Sequence, residues 1–179
     1  MNILDDTILP DMAAEHRVDL VRERWINYAS IMEKMGADAV LSACSTVGPF
    51  AEEADSILKI PVLRIDDAMA EKAAETGGKI TVLATFKPTL GPTTDLIRRK
   101  NPHAKIKTVL IDEAYKELAL GNRKKHDELI AAAVKAEMDD ADVIVLAQAS
   151  MAGALEESSE KILTSPEMGI MKLKKILEK

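Results

Sequence analysis

Two segments of the chain, 104 residues apart, repeat one pattern of apolar, small and polar residues. The segments are 37–53 and 141–157; they align without a gap, and in each an Ala-Asp pair precedes an apolar run. In this alignment Gln148 stands opposite Cys44, the only cysteine of the sequence. The repeat predicts an internal duplication, and the length of the chain suits either one large domain or two small lobes.

The first copy of the repeat predicts a buried strand that leads directly into a helix. Residues 38–43 are a short, mostly apolar run, and Pro49 suits the first position of a helix. This order places the Cys44 thiol and the hydroxyls of Ser45 and Thr46 at a helix N-terminus. Helix N-termini bind anions and favour the thiolate form of cysteine.

Strand and helix patterns alternate along the whole chain. Strands are predicted at 3–7, 38–43, 61–65, 79–84, 105–111, 142–147 and 161–164, and helices at 18–35, 49–58, 68–75, 88–101, 113–120, 126–138, 151–158 and from 166. Such alternation predicts an α/β fold of parallel sheet with helices on both faces. Ligands of these folds bind at the carboxyl ends of the strands, where this sequence carries 44–46, Asp66, Thr85 and 148–150.

Composition narrows the classes of function. A net charge of −6 and only 3% aromatic residues argue against a nucleic-acid surface. A single cysteine excludes an intrachain disulfide and a cysteine-based zinc site. Because no apolar run approaches the length of a membrane span and the first residues lack a signal-peptide pattern, we expect a cytoplasmic protein without a membrane partner. The sequence also has no glycine-rich phosphate loop, so a nucleotide-binding fold is not supported.

Several motifs are spread over nearly the whole chain, namely 36–40 followed by 44–49, then 61–66, 82–85 with 88–90, and 146–152. Together they resemble one enzyme family, the aspartate/glutamate/hydantoin racemase superfamily. The resemblance implies two pseudo-symmetric parallel-sheet lobes with helices on both faces and a site in the cleft between them. On this basis residues 1–84 and the C-terminal helix at about 166–179 form the first lobe, and 85–165 form the second.

The resemblance also implies a chemistry. In this family two strand-end cysteines face opposite sides of a substrate's α-carbon, and one removes a proton while the other returns one, without pyridoxal phosphate. We therefore expect no cofactor and no metal, a small carboxylate such as an amino acid or a derivative as substrate, and Cys44 as the thiolate base. The expected carboxylate-binding residues are Ser45, Thr46, Thr85, Thr89, Ala149 and Ser150. Self-association into a homo-oligomer stays open.

The sequence departs from the family pattern in two places. Gln148 occupies the position of the second cysteine, and an amide cannot act as a proton-transfer base near neutral pH. The strand and helix with which family members usually begin have no counterpart ahead of residue 3. Asp66, at a strand tip, is either a cap or a candidate second acid–base group, Gln148 is either a filler or a hydrogen-bond donor to substrate, and His126 is expected on the surface.

Three hypotheses of function follow from these residues. The first is a cofactor-independent racemase or isomerase acting at a carbon α to a carboxylate, with Cys44 as base. The second is a one-base lyase or decarboxylase of the arylmalonate decarboxylase type, in which one thiol protonates one face of an intermediate. The third is a carboxylate-binding protein without catalysis.

Overall fold

The computed structural model describes residues 1–76, 78–155 and 159–178, and its helices and strands lie within these ranges. The helices are α1 Ile8–Ala13, α2 Val18–Lys34, α3 Gly48–Ile57, α4 Asp67–Thr76, α5 Lys87–Lys100, α6 Asp112–Ala119, α7 Arg123–Glu137 and α8 Ser165–Leu177. The strands are β1 Val40–Ser42, β2 Val62–Arg64, β3 Lys79–Ala84, β4 Lys105–Leu110, β5 Val143–Leu146 and β6 Ile162–Thr164. Short 3-10 turns occupy Glu15–Arg17, Ser45–Val47 and Ala149–Met151.

The strands form two parallel sheets, which confirms the predicted α/β class. One sheet contains β1 and β2, and the other has the order β4-β3-β5-β6. All four residues of β5 are buried, as are the last five of β3, because helices cover both faces of the second sheet. On one face α4 and α5 pack against β3 and β5, and on the other α6 and α7 do so.

The two copies of the sequence repeat adopt the same local structure. Strand β1 is followed by extended Cys44 and a 3-10 turn, and strand β5 is followed by extended Gln148 and a 3-10 turn. Their surroundings differ, since β5 pairs with β3 on one side and β6 on the other. Within the described residues β1 pairs with β2 alone. The two copies of the repeat are therefore alike in the strand and the turn that follows it. They differ in their sheets, which contain two strands and four strands within the described residues.

The segment 3–7 does not form the predicted strand. Its backbone turns at Asp5, whose carboxylate accepts hydrogen bonds from the Thr7 amide at 3.0 Å and the Thr7 hydroxyl at 2.6 Å. Helix α1 begins directly afterwards at Ile8. A carboxylate that bonds its own backbone two residues on stabilises a turn at the expense of extended structure.

The helix expected at 151–158 differs in the structure. It is represented by the 3-10 turn Ala149–Met151, and residues 156–158 of that prediction lie outside the described residues. The division into lobes, with its boundary at residue 84, stays a prediction. Strand β3, which ends at that boundary, pairs with both β4 and β5 and lies in the second sheet.

An ion cluster joins three of the helices. The Asp67 carboxylate of α4 binds the ammonium groups of Lys100, at 2.7 Å, and Lys172, which lie on α5 and α8. Burial acts to raise the pKa of Asp67, but the two lysines outweigh it and hold this pKa below its ordinary value. None of the helices built from described residues has the length and apolar character needed to cross a membrane.

Candidate functional site

Cys44 lies at the junction between β1 and α3, as the sequence predicts. Its backbone is extended, with φ −123° and ψ 112°, and the 3-10 turn Ser45–Val47 separates it from the helix. The thiol is half-buried, packs partly against the apolar cluster under β1, and lines a groove of about 710 Å³. Cys44 is therefore reachable from a cavity rather than sealed inside the core.

The groove beside Cys44 is formed by four parts of the chain. They are the segment 1–9, one side of α2, the segment that contains β1, and Leu173 of α8. Trp25 and Tyr28 supply the aromatic part of the wall. Gln148 is not among the residues that line it. Whether Cys44 and Gln148 face each other across a cleft therefore stays a prediction.

Ser45 and Thr46, which follow the thiol, are both buried. The Thr46 hydroxyl lies 2.8 Å from the hydroxyl of Thr89, a buried residue in the first turn of α5. One of these hydroxyls donates to the other, so the accepting partner keeps its own proton for a third group. This contact connects the turn after β1 with the helix after β3, and it brings two of the predicted carboxylate-binding residues together.

Thr85 and Gln148 form the second cluster of predicted site residues. They follow the paired ends of β3 and β5. The Gln148 side-chain oxygen accepts hydrogen bonds from the Thr85 amide at 2.6 Å, the Thr85 hydroxyl at 3.2 Å and the Phe86 amide at 3.2 Å. Gln148 thus binds the end of the neighbouring strand through its oxygen.

Ala149 and Ser150 follow Gln148 in the 3-10 turn Ala149–Met151. Ala149 is exposed, and the Ser150 carbonyl accepts a hydrogen bond from Arg123 of α7 at 3.0 Å. Arg123 also pairs with Asp127, whose other oxygen binds the His126 ring at 2.7 Å. Burial acts to raise the pKa of Asp127, but Arg123 and then His126 outweigh it and lower this pKa.

His126 is fully buried, which corrects its expected surface position. It lies on the inward side of the first turn of α7, where the basic residues that precede it in sequence gave no sign of burial. Arg123, from the same basic run, is the residue that holds the turn after Gln148.

Asp66 lies at the tip of β2 in a buried ion pair. Arg64 donates to both Asp66 oxygens, from Nε at 2.9 Å and from Nη2 at 2.8 Å. Arg64 also binds Glu52 on α3 and the Pro92 carbonyl on α5. Burial acts to lower the pKa of Arg64, but the Asp66 and Glu52 carboxylates outweigh it and raise this pKa. An acid–base role for Asp66 stays a prediction, and as it stands both its oxygens are engaged.

Sequence reasoning missed the position of Arg64. Its signal is a charged residue between Leu63 and Ile65 in an apolar strand, two positions before an acidic residue on the same face. Gly48 completes this site, because a Cβ at Gly48 would overlap the Arg64 guanidinium. Among the described residues, no group of three or more His, Cys, Asp and Glu side chains is arranged to hold a metal ion.

Comparison with protein families identifies the fold around these strand ends. The sequence model of the Asp/Glu/Hydantoin racemase family matches residues 9–170. This chain belongs to the Asp/Glu/hydantoin racemase family. The match includes Cys44, Thr85 and Gln148, so these strand-end residues lie within the racemase domain.

Solved structures of racemases share the fold. An aspartate racemase homologue from Pyrococcus horikoshii has 19% identity and a TM-score of 0.67, with 89% of this chain and 75% of that chain covered. Glutamate racemase from Bacillus anthracis has 20% identity and a TM-score of 0.69, with 90% and 65% covered. Aspartate racemase from Picrophilus torridus has 20% identity and a TM-score of 0.71, with 97% and 78% covered.

At 19–20% identity, the similarity to these three racemase structures shows that the fold is shared. This chain spans 65–78% of the length of the three structures. A search of the curated proteins found no significant match. Family membership and the racemase neighbours together support an enzyme of the racemase type.

Proposed function

We propose that this protein is a cofactor-independent, racemase-like enzyme that acts at a carbon α to a carboxylate, with the Cys44 thiolate as base. The observation that carries the proposal is the position of Cys44. Cys44, the only cysteine of the sequence, follows β1, and its side chain lines a groove of about 710 Å³. Membership of a racemase family supports the reaction class.

The proposed first step is proton abstraction from the substrate. The thiolate takes the α-proton, the C–H bond breaks, an S–H bond forms, and the electron pair moves into the carboxylate as an enediolate. This charge is stabilised by hydrogen-bond donors that are already in place. The donors we propose are Ser45, Thr46, Thr85, Thr89, Ala149 and Ser150, and the Thr46–Thr89 contact of 2.8 Å supports their grouping.

Return of the proton decides the outcome. With Gln148 in place of a second thiol, Cys44 is the proton donor as well as the base, so the proton or a solvent deuteron returns to the same face. The expected result is α-deuterium exchange on one enantiomer with retention. Inversion requires a group on the opposite face, for which Asp66 is the rival candidate.

The absence of a second thiol favours a second candidate function, a one-base decarboxylase. In that reaction the C–C bond to one carboxylate of a substituted malonate breaks, and carbon dioxide leaves. The bonding electron pair stays on the α-carbon as an enediolate, which then takes a proton from the Cys44 thiol. Water then returns a proton to the thiolate. A carboxylate-binding protein without catalysis is the third candidate.

A substrate panel in heavy water separates these functions. Amino acids, hydantoins and substituted malonates are incubated with the protein, and α-deuterium, optical rotation and carbon dioxide are measured. Exchange supports the racemase-like reaction, carbon dioxide release without exchange of the product supports the decarboxylase, and binding alone supports the third function. Cys44→Ser should abolish turnover, whereas Ser56→Ala, at an exposed position, should leave it unchanged. Turnover that survives Cys44→Ser but is lost in Asp66→Asn would assign the reaction to the carboxylate.

A further inference from the structure

The Gln148 side chain occupies a group of donors that is better suited to a carboxylate. Three donors, the Thr85 amide, the Thr85 hydroxyl and the Phe86 amide, converge on its single oxygen, with donor nitrogen or oxygen atoms 2.6–3.2 Å away. A carbonyl oxygen has two lone pairs, so one donor is in excess. A carboxylate has two oxygens and a negative charge, and it would accept all three hydrogens with stronger bonds.

The donors are held in place independently of Gln148. Thr85 is fully buried, and the strand ladders on its two sides continue to Ile111 and Ala147, whose amides bond the carbonyls of Ala84 and Leu83. Phe86 stacks on Tyr115 of α6, with ring centroids 5.0 Å apart and an angle of 29° between the planes. The donors therefore persist when the glutamine side chain moves away.

Gln148 itself is held on one side only. It is half-buried, and among the described residues its amide nitrogen donates no hydrogen bond. Its anchorage is the three-donor contact alone, which a competing anion can replace. Rotation of the side chain would free the donors without disturbing a strand.

We infer that Gln148 is a displaceable internal plug, whose side-chain oxygen fills a carboxylate-binding cradle formed by Thr85 and Phe86. A ligand carboxylate enters the cradle by displacing this oxygen. The inference deepens the proposed function, since it rests on the carboxylate site proposed there. It makes Gln148 a positioning residue that sets the affinity of the site for carboxylates, in addition to leaving the reaction without a second base.

The plug predicts a measurable gain in affinity when it is removed. If the plug is seated about 90% of the time, its loss lowers the apparent dissociation constant about tenfold. The test uses the full-length, 15N-labelled protein with sodium acetate as probe, and sodium chloride keeps the ionic strength constant. Wild type and Gln148→Ala are titrated while the amide signals of Thr85 and Phe86 are followed. Gln148 is the only glutamine of the sequence, so a sample labelled with 15N at glutamine side chains alone isolates its NH₂ signals.

We expect acetate to shift the Thr85 and Phe86 amides in Gln148→Ala with a dissociation constant about tenfold below that of wild type. In wild type the glutamine NH₂ signals should move in step with these amides. Equal dissociation constants in the two proteins, or no response of either amide in Gln148→Ala, would overturn the plug.

Gln148→Glu keeps the test decisive if Gln148→Ala does not fold. The introduced carboxylate should fill the cradle, shift both amides before acetate is added, and abolish their response to it. Relative to wild type, this variant should lose stability as the pH falls below the unfolded value of about 4.3, because the donors of the cradle lower the pKa of the new carboxyl in the folded protein. Acetate-responsive amides, or a pH dependence equal to that of wild type, would contradict the inference. None of these readouts is turnover, so an inactive protein whose amides respond keeps the plug and removes only the proposed reaction.

Discussion

The hydroxyls of Thr46 and Thr89, 43 residues apart in sequence, lie 2.8 Å apart in the interior of the protein. They connect the turn that follows Cys44 with the first turn of α5, four residues after Thr85. The thiol side and the amide side of the candidate site are thereby coupled through one hydrogen bond. A change at either threonine is therefore expected to affect both.

Thr46→Val should destabilise the protein by about 1–3 kcal/mol, because it leaves the buried Thr89 hydroxyl without its partner. Urea denaturation measures this loss. Thr108→Val, at an exposed position of β4, is the matched control and should be close to neutral. A double variant with Thr89→Val should cost less than the sum of the two single changes, and strict additivity would contradict the coupling.

Gly48→Ala should destabilise the protein, whereas Gly91→Ala should be close to neutral. A Cβ at Gly48 overlaps the Arg64 guanidinium, which Asp66 and Glu52 hold in place, so we expect a loss of about 1–3 kcal/mol. A Cβ at Gly91, inside α5, meets no atom within 4 Å outside its own helix, and the better helix propensity of alanine is offset by the contact of its Cβ with the ring of the following Pro92. Thermal unfolding of the two variants measures the difference, and a neutral Gly48→Ala would show that Arg64 moves freely.

The ion cluster at Asp67 should make stability fall in acid. Lys100 and Lys172 lower the pKa of Asp67 in the folded protein. The stabilisation is therefore fully present above the unfolded-state pKa of about 3.9, and it is lost as the pH drops through the folded-state pKa. Asp67→Asn should cost about 1 kcal/mol at pH 7 and less below pH 4. Urea titrations at several pH values measure the difference. Asp95→Asn, an exposed helical position, serves as control, and an equal pH profile in both variants would exclude the cluster as the cause.

Cys44 should react with iodoacetamide in the native protein, since its thiol lies on the wall of the groove. Mass spectrometry follows the labelling rate at pH 7. Ala39→Phe, which introduces a ring into the groove wall, should slow labelling, whereas Ala132→Phe, on the exposed side of α7, should not. A thiol that reacts only after denaturation would place Cys44 in the core.

Gln148→Cys should create or increase racemisation, because a second thiol can return a proton to the opposite face of the α-carbon. Chiral chromatography of the products measures the change. Gln148→Ser is the matched control, which vacates the cradle with a side chain of similar size that is a poor base. Equal racemisation by the two variants would mean that the gain comes from opening the site rather than from the thiol.

Local patterns predicted most of the elements, because they depend on residues close in sequence. The apolar stripe from Val18 and the Gly36 stop gave α2, and the Pro49 position gave the start of α3 within one residue. The turn at Asp5 had a local signal too, since an acidic residue two positions before a threonine is typical of such turns. The apolar residues on either side, Ile3 and Leu4 before it and Ile8 and Leu9 after it, obscured that signal.

Pairing and burial between distant residues were beyond the sequence. The assignment of β3 to the second sheet depends on its pairing with β5, more than 60 residues later. The same holds for the bond between Thr85 and Gln148 and for the burial of His126 in the first turn of α7. The identities of Cys44, Thr46, Thr85, Thr89 and Gln148 as neighbours of the strand ends were predictable, but their hydrogen-bond partners were not.

Trp25 is the only tryptophan of the sequence, it is 9% exposed, and it shares the groove wall with Cys44. Selective excitation of the indole therefore reports on this groove. A ligand that enters beside the thiol changes the polarity around the ring and with it the emission. The protein thus contains its own fluorophore for testing whether a bound molecule reaches the thiol.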